Sequence, residues 1–175
     1  ISYGKTIKVA VIDTGFNMEY KHKLKLCKEE HRDFTKTDIN DRHGHGTNIA
    51  GLISMGNQNV DYCLVILKFY NKGETAGILE VIQALRYAQK IKVDIINLSL
   101  GGKRSFKLEK VEINKILKKN IKVVAAAGNN KSNLNIKCNY YPACYHKDII
   151  VIGNTSRTSN YGKIVDEIIN GQDKY

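Results

Sequence analysis

Short, almost continuously apolar segments recur along this chain of 175 residues and alternate with segments of helical periodicity. Strands buried on both faces have such uninterrupted Val, Ile and Leu content, whereas a half-exposed strand alternates apolar with polar residues. The sequence therefore predicts an α/β fold, with a largely parallel β-sheet and helices on both of its faces. The predicted strands are residues 7–12, 62–69, 94–99, 121–126 and 149–153.

Two segments between these strands have the pattern of amphipathic crossover helices. The apolar positions of the first are Ile78, Leu79, Val81, Ile82 and Leu85, and those of the second, at 107–120, are Leu108, Val111, Ile116 and Leu117. Residues 129–148 show no periodicity. A loop of that length inside a compact domain is usually functional.

Composition and charge limit the classes of protein to consider. With 42% hydrophobic and 26% charged residues, the chain fits one compact domain over residues 1–175, and no apolar run approaches the roughly 18 residues of a membrane span. The net charge of +11 comes mainly from scattered Lys, which predicts a solvated surface rather than a nucleic-acid partner. The first eight residues lack the pattern of a signal peptide, so the sequence leaves localisation unknown.

The four cysteines have no Cys-x-x-Cys spacing, so no structural zinc site is expected. Cys63 lies in an apolar run, where a thiol is usually a small buried hydrophobe. Only Cys138 and Cys144 are close enough in sequence for a short disulfide loop, and the sequence does not decide whether they form one. The expectation for all four is free thiols.

A carboxylate, Asp13, follows the first apolar strand and precedes a Thr-Gly turn. Asp13 is therefore expected at the carboxyl edge of the sheet, where α/β folds bind ligands. Two other roles stay open: a turn-forming Asp, and the Asp-Thr-Gly of a homodimeric aspartic-type protease, which needs two such carboxylates.

A histidine, His45, lies in a glycine-rich turn that leads into an apolar helix of small residues. His43 and His45 alone do not indicate metal binding, because no third ligand lies at a suitable spacing. Together with Asp13, His45 suggests acid–base chemistry, in which the carboxylate accepts the Nδ1 proton and stabilises the imidazolium.

An amide, Asn129, follows Gly128 at the end of a strand whose side chains shrink to Ala. Asn129 could donate an N–H to an oxyanion that develops on a scissile carbonyl. A plain Gly-Asn turn is the alternative.

Taken together, these segments resemble those of the subtilisin-like serine proteases. The similar motifs are Val11-Ile-Asp-Thr-Gly15, His45-Gly-Thr-Asn-Ile-Ala-Gly51, Asn97-Leu-Ser-Leu-Gly-Gly102 and Ala126-Ala-Gly-Asn129, in the family's order. The resemblance implies an endopeptidase in which Asp13 and His45 belong to an Asp/His/Ser triad and Asn129 is the oxyanion donor. It also implies an extended peptide substrate, bound by Glu74, Thr75, Ala76, Ser99, Leu100, Gly101, Gly102, Ala127 and Gly128.

Two departures from the family's pattern concern single sites. Asn48 replaces the family's second histidine, which leaves a polar side chain in place. Residues 56–61 are too few for the calcium-binding loop of many members, so no calcium site and no other metal or cofactor is expected. Secretion is typical of the family, although this sequence shows no signal peptide.

The third departure concerns the nucleophile. The family's serine lies in a Gly-Thr-Ser-Met-Ala-like segment at the start of a central helix, and the sequence reaches Tyr175 without one. Ser156 and Ser159 match only superficially. We therefore expect a catalytic-domain fragment without the nucleophile helix and without activity of its own, or else an inactive peptide-binding module. The missing helix should leave apolar surface that favours a complementing C-terminal segment or self-association.

Overall fold

The computed structural model describes residues 5–56, 59–73 and 77–170. The chain divides into two compact units at Ile96 and Asn97, so the described residues form a first unit, 5–96, and a second unit, 97–170. The single domain over 1–175 stays a prediction. The strands are β1 (Ile7–Asp13), β2 (Arg32–Asp33), β3 (Tyr62–Lys68), β4 (Ile95–Leu98), β5 (Lys122–Ala126), β6 (Ile150–Asn154) and β7 (Glu167–Ile169). The α-helices are α1 (His45–Gly56), α2 (Ile78–Lys90) and α3 (Lys107–Lys118), and Met18–Lys23 forms a 3₁₀ helix.

The sheet of the first unit has the order β2-β3-β1, and its strands are parallel. Val9 and Val11 pack in one apolar cluster with Ala50 of α1. Their neighbours Ala10 and Ile12 point to the opposite face, because side chains alternate along a strand, and they too are fully buried. This part of the sheet is therefore covered on both faces, as the continuous apolar runs predicted.

The helices of the first unit pack against β1. The apolar stripe of α2 is largely as predicted, except that Leu79 is 62% exposed and so does not belong to it. None of the helices in the described parts of the chain is both long enough and apolar enough to cross a bilayer.

In the second unit β5, β6 and β7 are parallel neighbours, and α3 packs against β5. The predicted stripe of α3 is wrong in part, because Leu108 and Val111 are exposed whereas Glu109 and Glu112 are buried. Glu109 is buried because it accepts a 2.7 Å hydrogen bond from the Tyr145 hydroxyl, which satisfies an oxygen that would otherwise lose its water. Burial raises the pKa of the Glu109 carboxyl.

The predicted α/β fold with a parallel sheet is confirmed. All five predicted strands are present with ends shifted by at most one residue, and the helices begin where the periodicity placed them. The strands β2 and β7 were not predicted. They have two and three residues, which is too short for a periodicity to show.

The expectation of free thiols is wrong, because Cys27 is bonded to Cys63 and Cys138 to Cys144. The segment before Cys27 runs beside β3: the Cys27 N–H donates to the Leu64 carbonyl, and the Leu64 N–H donates to the Lys25 carbonyl. This pairing brings Cys27 next to Cys63 over 36 positions of sequence. Sequence spacing alone indicates only the short Cys138–Cys144 loop.

Candidate active site

Asp13 is the last residue of β1, and its side chain is 2% exposed. Its Oδ1 accepts a 2.7 Å hydrogen bond from the Thr14 N–H and lies 2.7 Å from Nδ1 of His45. Because a carboxylate can only accept, Nδ1 of His45 must be the protonated ring nitrogen. The contact joins two residues that are 32 positions apart.

His45 is the first residue of α1, and 41% of its side chain is exposed. The hydrogen bond that Nδ1 donates to Asp13 raises the pKa of the imidazole, burial opposes this shift, and the charges of Asp13 and Asp41 add to it. With Nδ1 protonated, Nε2 is the basic nitrogen. The pair can therefore take up a proton at Nε2 and stabilise the resulting imidazolium.

A second carboxylate, Asp41, holds the start of α1. Its Oδ1 accepts from the N–H groups of His43 and Gly44, and its Oδ2 accepts from the N–H and the hydroxyl of Thr47, all at 2.7–3.0 Å. Burial alone would raise the pKa of Asp41, but these donors outweigh it and lower the pKa. A negative charge at this end of a helix also interacts favourably with the helix dipole.

Thr14 connects this cap to the backbone beside Asp13. Its hydroxyl donates to Asp41 at 2.9 Å and accepts from the Gly46 N–H at 2.8 Å. Because Thr14 follows Asp13 and Gly46 follows His45 in sequence, the hydroxyl ties the two backbones together at the point where the side chains meet.

A buried lysine supports the loop before Asp41. Lys68, at the end of β3, is fully buried, and its ammonium donates to the carbonyl oxygens of Asp38 and Asn40 at 2.9 and 2.7 Å. Buried cations need such partners. Lys68 therefore fixes the backbone that leads into Asp41.

In the second unit, Asn129 follows β5 and Gly128, and its side chain is exposed. Its Oδ1 is 3.5 Å from the side-chain nitrogen Nδ2 of Asn154. The surrounding loop is held by the buried Asn160, whose Nδ2 donates to the Ala127 carbonyl at 2.7 Å. The Oδ1 of Asn160 accepts from the N–H groups of Asn130 and Ser132.

The residues predicted to bind substrate differ in their surroundings. Ser99 and Leu100 follow β4 and are half-buried, whereas Ala127 is fully buried. The Gly102 N–H donates to the Tyr141 carbonyl, and the Gly102 carbonyl accepts from the Tyr141 N–H, at 2.8 Å each. Gly101 and Gly128 lie close to another part of the second unit, the ring of Tyr140. Glu74, Thr75 and Ala76 lie outside the described residues.

The two serines considered as substitutes for the nucleophile are tied into a turn of the second unit. The Ser156 hydroxyl lies 2.9 Å from that of Thr158, and the Ser159 hydroxyl donates to the Asn160 carbonyl at 3.1 Å. Neither of these contacts involves a base.

Sequence reasoning missed the supporting residues Thr14, Asp41, Lys68 and Asn160. A signal existed for Asp41, since an Asp shortly before a helix start is typical of a cap. No comparable signal marked Lys68 or Asn160, whose partners are backbone groups distant in sequence.

On a parallel α/β fold, a strand-end carboxylate that orients a helix-start imidazole forms a pair suited to acid–base chemistry. Comparison with known proteins agrees with this chemistry. The sequence profile of the subtilase family matches residues 4–170, and the chain belongs to this family. An aspartic-type protease is therefore excluded.

The curated relatives are serine proteases. The major intracellular serine protease of Bacillus subtilis (strain 168) is 33% identical over 190 residues, which cover 97% of this chain and 59% of that protein. The intracellular serine protease of Paenibacillus polymyxa is also 33% identical, with 97% and 58% covered. Subtilisin E of Bacillus subtilis (strain 168) is 27% identical, with 94% and 46% covered. The chain thus spans about half the length of the relatives it matches.

Solved structures show the same fold. A lanthipeptide protease superposes with a TM-score of 0.80 at 22% identity and is matched over 94% of this chain and 55% of its own. A cold-adapted subtilisin-like serine proteinase gives a TM-score of 0.75 at 23% identity, with 94% and 63% covered.

Proposed function

We propose that this chain supplies the aspartate and histidine of an Asp/His/Ser triad in a subtilisin-like serine endopeptidase that hydrolyses peptide bonds through an acyl-enzyme. The observation that supports this most is the 2.7 Å contact between the buried Asp13 carboxylate and Nδ1 of His45. A carboxylate in that position fixes the tautomer in which Nε2 is free to act as a base.

In this proposal each residue has one task. Asp13 orients His45 and stabilises its imidazolium. His45 takes the proton of the serine hydroxyl and returns it to the leaving amine. Asn129 donates an amide N–H to the developing oxyanion, and its convergence with the other two residues stays a prediction. The serine itself would come from a Gly-Thr-Ser-Met-Ala-like segment, which residues 1–175 do not contain.

The substrate is an extended peptide or protein segment. Its backbone would pair with Ser99, Leu100 and Gly101 on one side and with residues 74–76 on the other, as an added β-strand.

We propose no metal or other cofactor for the reaction. The partner within the protein is a segment that brings the serine and covers the apolar surface of α1, where Met55 is 56% exposed.

Complementation tests this function directly. The chain is co-expressed with the C-terminal part of the major intracellular serine protease of Bacillus subtilis that this chain does not match. The mixture is assayed for labelling by a fluorophosphonate probe and for cleavage of a chromogenic peptide. Both signals should require the two parts together. His45→Ala should abolish both signals, and Asp13→Asn should lower the cleavage rate by about a thousandfold or more.

The matched control is His43→Ala, which removes the exposed neighbouring histidine and should leave both signals nearly unchanged. A peptide-binding module without chemistry would bind the peptide yet give no labelling in any combination. Stoichiometric labelling of the chain alone at Ser156 or Ser159, lost in His45→Ala, would contradict the proposed source of the nucleophile.

A further inference from the structure

One aromatic ring of the second unit lies against two glycines that follow different strands. A methyl group at Gly101, after β4, would lie 2.6 Å from Cε1 of Tyr140, and one at Gly128, after β5, would lie 2.5 Å from Cε2 and Cζ of the same ring. Both distances are shorter than any normal contact between non-bonded carbon atoms. The ring of Tyr140 therefore fills the space that the two missing side chains leave.

The backbone that carries this ring is held from several directions. The disulfide between Cys138 and Cys144 encloses it, and Tyr141 makes two 2.8 Å backbone hydrogen bonds to Gly102. Tyr141 also stacks on Tyr145, with ring centroids 4.8 Å apart, and the Tyr145 hydroxyl accepts from the Phe106 N–H at 2.7 Å. These contacts place Tyr140 on a firmly anchored loop rather than on a free one.

The ring is also partly withdrawn from water. Tyr140 is half-buried, and desolvation raises the pKa of its hydroxyl. The contacts at Gly101 and Gly128 are made by the ring carbons. Shape rather than a hydrogen bond from the hydroxyl is therefore what Tyr140 contributes beside the two glycines.

We propose that Tyr140 is a specificity-determining residue that restricts the pocket beside Gly101 and Gly128 to glycine or alanine at the substrate position before the cleaved bond. This inference rests on the proposed function, in which the substrate binds beside Gly101, and on the resemblance, which counts Gly128 among the substrate-binding residues. A leucine or phenylalanine side chain would have to displace a ring that the disulfide-closed loop holds in place, whereas a hydrogen or a methyl group does not need that space.

Peptide binding to the chain as it stands tests the proposal without the nucleophile. Four end-blocked tetrapeptides that differ only in the last residue, Gly, Ala, Leu or Phe, are titrated by calorimetry. The Gly and Ala peptides should bind at least about tenfold more tightly than the Leu and Phe peptides. In Tyr140→Ala the ring is gone, and the Phe peptide should gain about tenfold or more in affinity.

Two further variants make the result specific. Tyr140→Phe keeps the ring and should keep the preference for small residues, while Tyr161→Ala, which removes an exposed tyrosine of the same unit, should not alter it. Equal affinity of the unaltered chain for all four peptides would overturn the inference alone, even if Tyr140→Ala did not fold. Absence of binding to all four peptides by both the unaltered chain and Tyr140→Ala would overturn the proposed function together with the inference.

Discussion

The two units hold their predicted site residues by different means. In the first unit, Asp13 and His45 are fixed by a network of short hydrogen bonds that includes Thr14 and Asp41. In the second unit, the surface beside Gly101 and Gly128 is defined by the close approach of an aromatic ring. The first arrangement positions charge, and the second defines shape.

The difference follows from what each part is proposed to do. A proton-transfer pair needs its atoms within hydrogen-bond distance, and directional bonds provide that positioning. A pocket that selects by size needs only excluded volume, which packing provides. Five experiments, in order of decreasing expected effect, test this contrast.

The largest effect is expected from Gly46→Ala in the first unit. A methyl group there would collide with the Gly15 carbonyl oxygen and lie 3.2 Å from Cβ of Asp13, so α1 would have to move away from β1. The free energy of unfolding, measured in urea, should fall by about 3 kcal/mol. Gly56→Ala, at the open end of the same helix, is the control, because nothing lies within 4 Å of its added methyl. Equal stability of the two variants would show that the close approach is not required.

A slightly smaller effect is expected from Gly128→Ala in the second unit. Gly128 has φ +93°, which disfavours any Cβ, and the added methyl would meet the Tyr140 ring. Unfolding free energy should fall by about 2.5 kcal/mol, slightly less than for a collision with backbone, since a side chain on an anchored loop can still shift slightly. Gly102→Ala is the matched control. Adding Tyr140→Ala to Gly128→Ala should recover part of the loss, and strict additivity would argue against a steric origin.

Asn160→Ala tests whether the second unit also depends on directional hydrogen bonds. The substitution leaves the Ala127 carbonyl and the N–H groups of Asn130 and Ser132 without their partner. A loss of about 2 kcal/mol is expected, since some of these groups regain water. Asn133→Ala, which removes a single hydrogen bond to the nearby Asn135 N–H, should cost much less. If both variants cost the same, the Asn160 contacts do not hold the loop.

Asp41→Asn tests the cap of α1. Asparagine keeps one acceptor oxygen, so the loss should be about 1 kcal/mol. The pKa of His45, followed by NMR, should also fall, because the Asp41 charge contributes to raising it. Asp38→Asn removes an exposed carboxylate paired with Arg42 and is the control. An unchanged His45 pKa in Asp41→Asn would mean that the cap acts on the helix alone.

The smallest effect concerns pH. Because the folded-state pKa of His45 is raised, its pairing with Asp13 stabilises the fold fully below the ordinary histidine value of about 6.5, and this stabilisation is lost as the pH rises through the folded pKa. With 41% of the side chain exposed, the contribution should stay below about 1 kcal/mol. The loss in His45→Gln should be larger near pH 5 than near pH 9. His22→Gln, at an exposed histidine, is the control substitution, and a flat profile for His45→Gln would contradict the pairing.

The sequence predicted the fold class and the central strands because buried parallel strands have continuous apolar runs, as in residues 7–12 and 62–69. It also predicted the contact between the Asp13 carboxylate and Nδ1 of His45, since both residues lie in recognisable local patterns. The residues that hold them in place were not predictable in the same way. Lys68 occurs at the end of a strand whose pattern suggests only burial, and its partners are backbone carbonyls.

Two errors and one omission have a common physical cause. The Cys27–Cys63 bond, the buried Glu109 and the Tyr140 ring beside Gly128 all depend on contacts between residues distant in sequence. Local periodicity contains no information on such pairings. It assigns a cysteine in an apolar run to the core, a glutamate to the surface, and a tyrosine in a loop to no particular contact.

The bond between Cys27 and Cys63 encloses the segment that contains Asp41, His45 and all of α1. Closing a loop of this length stabilises a fold by about 4 kcal/mol in the chain-entropy account. It also bears on proteolytic nicking. A single cut between residues 28 and 62 leaves the histidine segment covalently attached to β3, so a nicked chain keeps its full mass on a non-reducing gel and separates into two pieces only after reduction.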